Sequence, residues 1–273
     1  MKLMKILGVS FILIFSIKIY GQNLTSRWQR KSLVIEKKIF LAKNDTLINK
    51  LLLQKAMILK NAGHQVRAIQ TFERIPYQHC RPEIGFEAAF NLAMLNYSIN
   101  EFDAVSQYLS DMDFYFDKTD TSNRVLFLKV LTYNVQEKYN QARKALKKYS
   151  SQSDCSVNID SLYRFEQQLK DPAKARRLSG FLPGLGQFYA GKPWQGINSL
   201  MLNSLSLGYA TYCGLNKMYA SSVFTGLNLF MAFYSGGKRN AYSIVNNQKA
   251  NEIKKLNSFL IIWSNNCSVS ENK

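Results

Sequence analysis

Residues 61–75 read "NAGHQVRAIQTFERI", and their reading decides the fold. Gly63 sits between two apolar rows with three- and four-residue steps: Leu52, Ala56 and Leu59 before it, Ala68, Phe72 and Ile75 after it. That period marks helices, and a glycine between them marks a tight turn, so the segment reads as two antiparallel helices. The pattern recurs. Ala88, Leu92 and Leu95 are followed by Ala104, Tyr108 and Met112; Leu126, Val130 and Tyr133 are followed by Ala142, Leu146 and Tyr149. The second-helix alanines Ala68, Ala104 and Ala142 lie 36 and 38 residues apart, the period of a stacked array of helical hairpins. The expectation is an all-α protein in which residues 23–170, poor in glycine and proline, form an α-solenoid of three hairpins.

Two stretches, "NAGHQVRAIQTFERI" and "QEKYNQARKALKKY", resemble the turn and second helix of the tetratricopeptide repeat (TPR) family. Tyr139 stands three residues before Ala142, where that family favours an aromatic; the second repeat has Glu101 there, with Phe102 one place later. Leu52, Ala88 and Leu126 replace the family's first-helix tryptophan. The resemblance implies a non-catalytic surface that binds other proteins along the first helices. Lys50, Lys60, Asn96, Arg124 and Asn134 are the residues expected to face that groove. A basic, amide-rich groove suits an acidic segment or a chain-terminal carboxylate. The plainer reading of each residue is a solvated polar position.

The C-terminal third has a different texture. Between Lys192 and Lys217 lie 24 residues without a charge, and between Lys217 and Lys238 another 20, where about 20 suffice to cross a bilayer. Both runs carry asparagine and serine, and two buried helices of a soluble bundle are the alternative. Just upstream, "FLPGLGQFYAGKPW" (181–194) places Gly186, Gly191 and Lys192 almost as a phosphate-binding loop does. Pro193 stands where that loop needs a magnesium-binding hydroxyl, and no strand-like run precedes it, which excludes a nucleotide site. The same stretch resembles the P-G-x-G-Q-x-Y-x-G segment that opens small two-transmembrane-helix domains of bacterial membrane proteins, over Ser179 to Gly237. On that resemblance Pro183, Gly184, Gly186, Gln187, Tyr189, Gly191, Lys192 and Trp194 form a membrane-entry motif, residues 171–240 a transmembrane hairpin, and residues 241–273 a basic amphipathic tail helix.

Charge and the N-terminus complete the expectation. The net charge of +18 points to acidic partners. After Asp171 only Glu252 and Glu271 oppose eleven basic residues, so anionic lipid headgroups are favoured over nucleic acid. Lys2 and Lys5 precede an apolar run from Ile6 to Ile17, too short to span and fitting a signal peptide over residues 1–21, with an uncleaved anchor as the alternative. Cys80 and Cys155 are one conceivable disulfide among four cysteines with no C-x-x-C pair. The adjacent His79 and Cys80 and the isolated His64 offer no catalytic pairing, and no catalytic residue, metal or cofactor is expected. The combined expectation is a membrane-anchored scaffold in a bacterial cell envelope, integral to the membrane, with its repeats on the periplasmic side, or the cytoplasmic side with an uncleaved anchor. The alternative is a hairpin that self-associates as a channel or transport component, with the repeats regulatory.

Overall fold

The computed structural model describes residues 27–116, 122–153 and 156–270, so the leader expected over residues 1–21 lies outside the described part. Among the described residues every regular element is helical, and the fold is all-α. The chain divides into two compact units, Met1–Ser153 and Asp154–Lys273.

The first unit opens with α1 (27–41), followed by three helical hairpins: α2 (Asp45–Asn61) with α3 (Gln65–Phe72), α4 (Pro82–Ser98) with α5 (Phe102–Phe116), and α6 (Ser122–Val135) with α7 (Tyr139–Gln152). Local chemistry explains several ends. Asn44 caps α2 by accepting a 2.8 Å bond from the Thr46 N–H, and Pro82 starts α4 where its missing N–H costs nothing. Each hairpin turns on one left-handed residue: Gly63 (φ +79°), Asn100 (φ +66°) and Glu137 (φ +60°). All three turns close with the same two bonds. The N–H groups of Gly63, Asn100 and Glu137 donate to Lys60, Tyr97 and Asn134, and those of His64, Glu101 and Lys138 donate to Leu59, Asn96 and Tyr133. This is the Schellman ending that satisfies the last carbonyls of a helix.

Those turn residues are 37 apart in both intervals, which corrects the register expected for the second hairpin. Val105, not Ala104, is equivalent to Ala68 and Ala142, and all three are fully buried. Leu109, not Tyr108, matches Phe72 and Leu146 in the core, while Ala104 and Tyr108 are half-buried. Phe102, not Glu101, matches Tyr139. The first helices obey the same period through buried Ala56, Ala93 and Val130. Helix α4 is apolar around most of its circumference because it packs twice. Ala88, Leu92 and Leu95 join the core of the first hairpin, and Ala89, Phe90 and Ala93 join α5 and α6.

The second unit contains α8 (Ile159–Leu162), a 3-10 turn (Arg164–Gln168), α9 (Pro172–Phe181), α10 (Leu185–Tyr189), α11 (Pro193–Leu215), the single turn α12 (Tyr219–Ser221), a π-helical turn (Ser222–Leu227) and α13 (Asn228–Ser270). The glycine motif is the knot that ties these helices together. Gly184 (φ +95°) turns the chain into α10, where a side chain would collide with the Gly196 carbonyl. Gly186 lies under α9 and α13, with the Ala175 carbonyl and the Ala241 methyl where its own Cβ would be. Gly191 (φ +75°) ends α10 with the same turn bonds as the hairpins, and Pro193 begins α11. Gln187 is fully buried and bonded at both ends of its amide: its Oε1 accepts from Ser179 Oγ (2.9 Å), and its Nε2 donates to the Gly237 carbonyl (2.9 Å). Tyr189 Oη accepts from the Asp171 N–H, whereas Lys192 and Trp194 are exposed.

Among the described residues, no helix is long and apolar enough to cross a membrane. That overturns the expected transmembrane hairpin. The membrane-entry role of its motif falls with it, as does the reading of the chain as an integral membrane protein of the envelope. The reason is composition. Helix α11 has 23 residues, but Asn198, Ser199, Asn203, Ser204, Ser206 and Thr211 dilute its apolar side chains. The second charge-free run is broken by α12 and the π turn, and α13 continues without interruption through Lys238 and Arg239. The expected tail helix is therefore the larger, distal part of a 43-residue helix, whose Val245, Ile253, Leu256 and Leu260 are buried while Tyr242 is exposed. Cys267 is disulfide-bonded whereas Cys80 and Cys213 are free thiols, so the Cys80–Cys155 pairing does not form.

Candidate functional site

The first helices of the three hairpins lie side by side, α2 against α4 and α4 against α6. Along their shared face runs one continuous polar chain. Lys60 near the end of α2 donates from Nζ to Asn91 Oδ1 on α4 at 2.6 Å. Asn91 is nearly fully buried, and its Nδ2 donates to the Glu87 carbonyl oxygen one turn earlier (2.7 Å) and to Glu87 Oε2 (3.3 Å). The other Glu87 oxygen, Oε1, accepts from Arg124 Nη1 on α6 at 2.7 Å. The Arg124 guanidinium also lies 4.2 Å from the centre of the buried Phe90 ring.

Two cations thus share one carboxylate. Burial first, and the Arg124 charge second, hold the Lys60 ammonium below the usual lysine range; Glu87 opposes them with a smaller upward pull. The Glu87–Arg124 pair is half-exposed, where salt and side-chain entropy leave little net stabilisation. The arrangement contributes positive potential over an apolar ring, with Lys60 held by a buried amide. Such a surface favours an incoming carboxylate, which would relieve the Lys60–Arg124 repulsion and accept charge-assisted hydrogen bonds.

Of the five groove residues named from sequence, the fold brings Lys60 and Arg124 together. Lys50 is exposed ten residues before Lys60 on α2, roughly 15 Å along the helix. Asn96 is buried and donates to the Leu92 carbonyl of its own helix at 2.8 Å, and Asn134 is fully buried. Sequence reasoning missed Asn91, Glu87 and Phe90. A signal for Glu87 was present: Lys50, Glu87 and Arg124 are each 37 residues apart and occupy equivalent places on successive first helices. Asn91 has no such mark, because its role depends on a neighbour 31 residues away.

The Cys80 thiol lies 3.9 Å from the Tyr77 carbonyl and 3.6 Å from the Arg81 carbonyl, and burial pushes it up, away from the thiolate that a nucleophile needs. His64 packs its ring 4.1 Å from that of Trp28. Comparison with known proteins leaves the site to be read from its own geometry: no protein-family model, curated protein or solved structure matches the chain.

Proposed function

We propose that the first unit is an α-solenoid of TPR-like hairpins that binds other proteins without catalysis, taking an acidic side chain or a chain-terminal carboxylate between Lys60 and Arg124. The observation that carries this reading is the network spanning α2, α4 and α6, in which two cations are left with a single carboxylate. The recurrence of one turn geometry every 37 residues supports the repeat architecture. Phe90 beneath Arg124 supplies apolar contact beside the charge, as peptide-binding grooves commonly require.

The test uses fluorescence anisotropy on the full chain with two peptide pools of equal length. One pool carries aspartate or glutamate and a free carboxylate; the other carries asparagine or glutamine and an amidated end. The acidic pool is expected to bind at least about tenfold more tightly, which corresponds to one charge-assisted contact. Equal binding of both pools, or binding of neither, rejects the reading.

A further inference from the structure

Between the segment 168–170, where the 3-10 turn of the second unit ends, and the distal part of α13 lies a groove of ≈ 870 Å³. That is within the range of roughly 300–1,000 Å³ that small-molecule sites occupy. Leu169, the buried Val245, Phe259 and Ile262 give it apolar walls, and Phe259 and Ile262 stay 47% and 61% exposed. Lys170, Lys249, Lys254 and Lys255 also line it, on aliphatic stems that can lie along apolar surface while the ammonium stays in water. Among the lining residues only Glu252 is acidic, and its Oε1 already accepts from Lys255 Nζ at 2.7 Å. The lining therefore keeps a surplus of positive charge.

Charge and apolar surface are separated along this groove. Gln248 Nε2 donates to the Ala190 carbonyl at 3.2 Å, and Lys170 Nζ lies 3.8 Å from where a Cβ of the next residue, Gly191, would stand. Lys170 is thereby held at the level of Gln248 and Lys249 on α13. Lys174 adds a second ammonium at the same end: its Nζ and that of Lys170 lie 5.5 and 5.6 Å from the centre of the Tyr189 ring. Phe259 and Ile262 stand at the other end, and from Gln248 to Ile262 the helix rises roughly 21 Å. Glu252 and Lys255, between the ends, neutralise each other. The shape and charge together match a ligand with an anionic head and a long apolar tail.

We propose that the groove binds one long-chain fatty acid as its carboxylate. Lys170 donates charge-assisted hydrogen bonds to the head, with Lys249 and Lys174 adding attraction, and the acyl chain runs along α13 to cover Phe259 and Ile262. An anion without a tail would leave Phe259 and Ile262 bare, and a neutral amphiphile would leave the lysines without a counter-charge. The inference is independent of the peptide-binding reading, since it uses only the second unit.

Isothermal titration of the full chain, with each ligand below its micelle-forming concentration, decides it. Tetradecanoate is expected to bind saturably, and decanoate about tenfold more weakly, because an open groove covers only part of each methylene removed. Tetradecyltrimethylammonium, with the same tail and the opposite charge, should bind at least about tenfold more weakly than tetradecanoate. Lys170→Glu and Phe259→Asp should each raise the tetradecanoate Kd by about tenfold or more. Lys147→Glu, an exposed change of equal charge in the first unit, should leave it unchanged, and circular dichroism should show each variant as helical as wild type. Absence of saturable binding overturns the proposal, as does equal affinity for the two tail lengths or for the two headgroups. An equal response to Lys170→Glu and Lys147→Glu overturns it too, since bulk charge alone would then explain the binding. So does displacement of tetradecanoate by an acidic peptide without an acyl chain, which would assign the groove to a protein segment.

Discussion

At the scale of single residues, the left-handed positions carry the most checkable strain. Gly63 has nothing within 4 Å of where a Cβ would be, so its glycine is required by φ alone. Gly63→Ala should therefore lower stability by about 1 kcal/mol, measured by urea denaturation, with little change in m-value. Lys217 holds the equivalent conformation (φ +60°) at the end of α11, and Lys217→Gly should raise stability by a similar ~1 kcal/mol. Gly186 is different in kind: an alanine there meets the Ala175 carbonyl, and Gly186→Ala should cost about 1–3 kcal/mol through overpacking. Lys60 supplies a pH test. Its folded-state pKa lies below that of an exposed lysine, so it loses its charge earlier as pH rises. Acidic-peptide affinity should therefore fall as pH climbs through that lowered pKa. Folding stability should gain over the same window, because the unfolded chain still holds the proton there.

At the scale of elements, how much was readable depended on whether the controlling interaction was local. The rows Leu52, Ala56, Leu59 and Ala68, Phe72, Ile75 were readable because helical spacing and the Gly63 turn lie within one short stretch, and all six are buried. The second hairpin was misread by one residue. Asn100 takes a conformation that composition announces only weakly, and Ala104 imitates the small residue of the other repeats. The first charge-free run is the single helix α11, but the second is split among α12, the π turn and the start of α13, and the asparagines and serines of α11, visible in the sequence, outweigh its missing charges. Gln187 was marked by its motif, yet its role as a tie between α9 and α13 required knowing that Ser179 and Gly237 converge on it. Gln187→Leu should leave both of those groups without their partner and lower stability by about 1–3 kcal/mol.

At the scale of the whole molecule, a strongly basic chain builds two units, all-helical among the described residues, with different exposed surfaces. The first presents Lys60 and Arg124 on a ladder of first helices; the second presents an uncharged, partly apolar helical face. Electrostatic recognition by the first is sensitive to screening, whose length falls from about 8 Å at physiological salt to about 3 Å at 1 M. Acidic peptides should accordingly release as salt is raised. The central claim, that Lys60 and Arg124 together select an acidic partner, is tested most directly by reversing both. Titration of matched acidic and basic peptides into the wild-type chain and a Lys60→Glu/Arg124→Glu variant of unchanged helicity should show the preference for the acidic peptide lost by at least about tenfold and the basic peptide gaining. A variant that binds the acidic peptide as well as the wild type does would contradict the account.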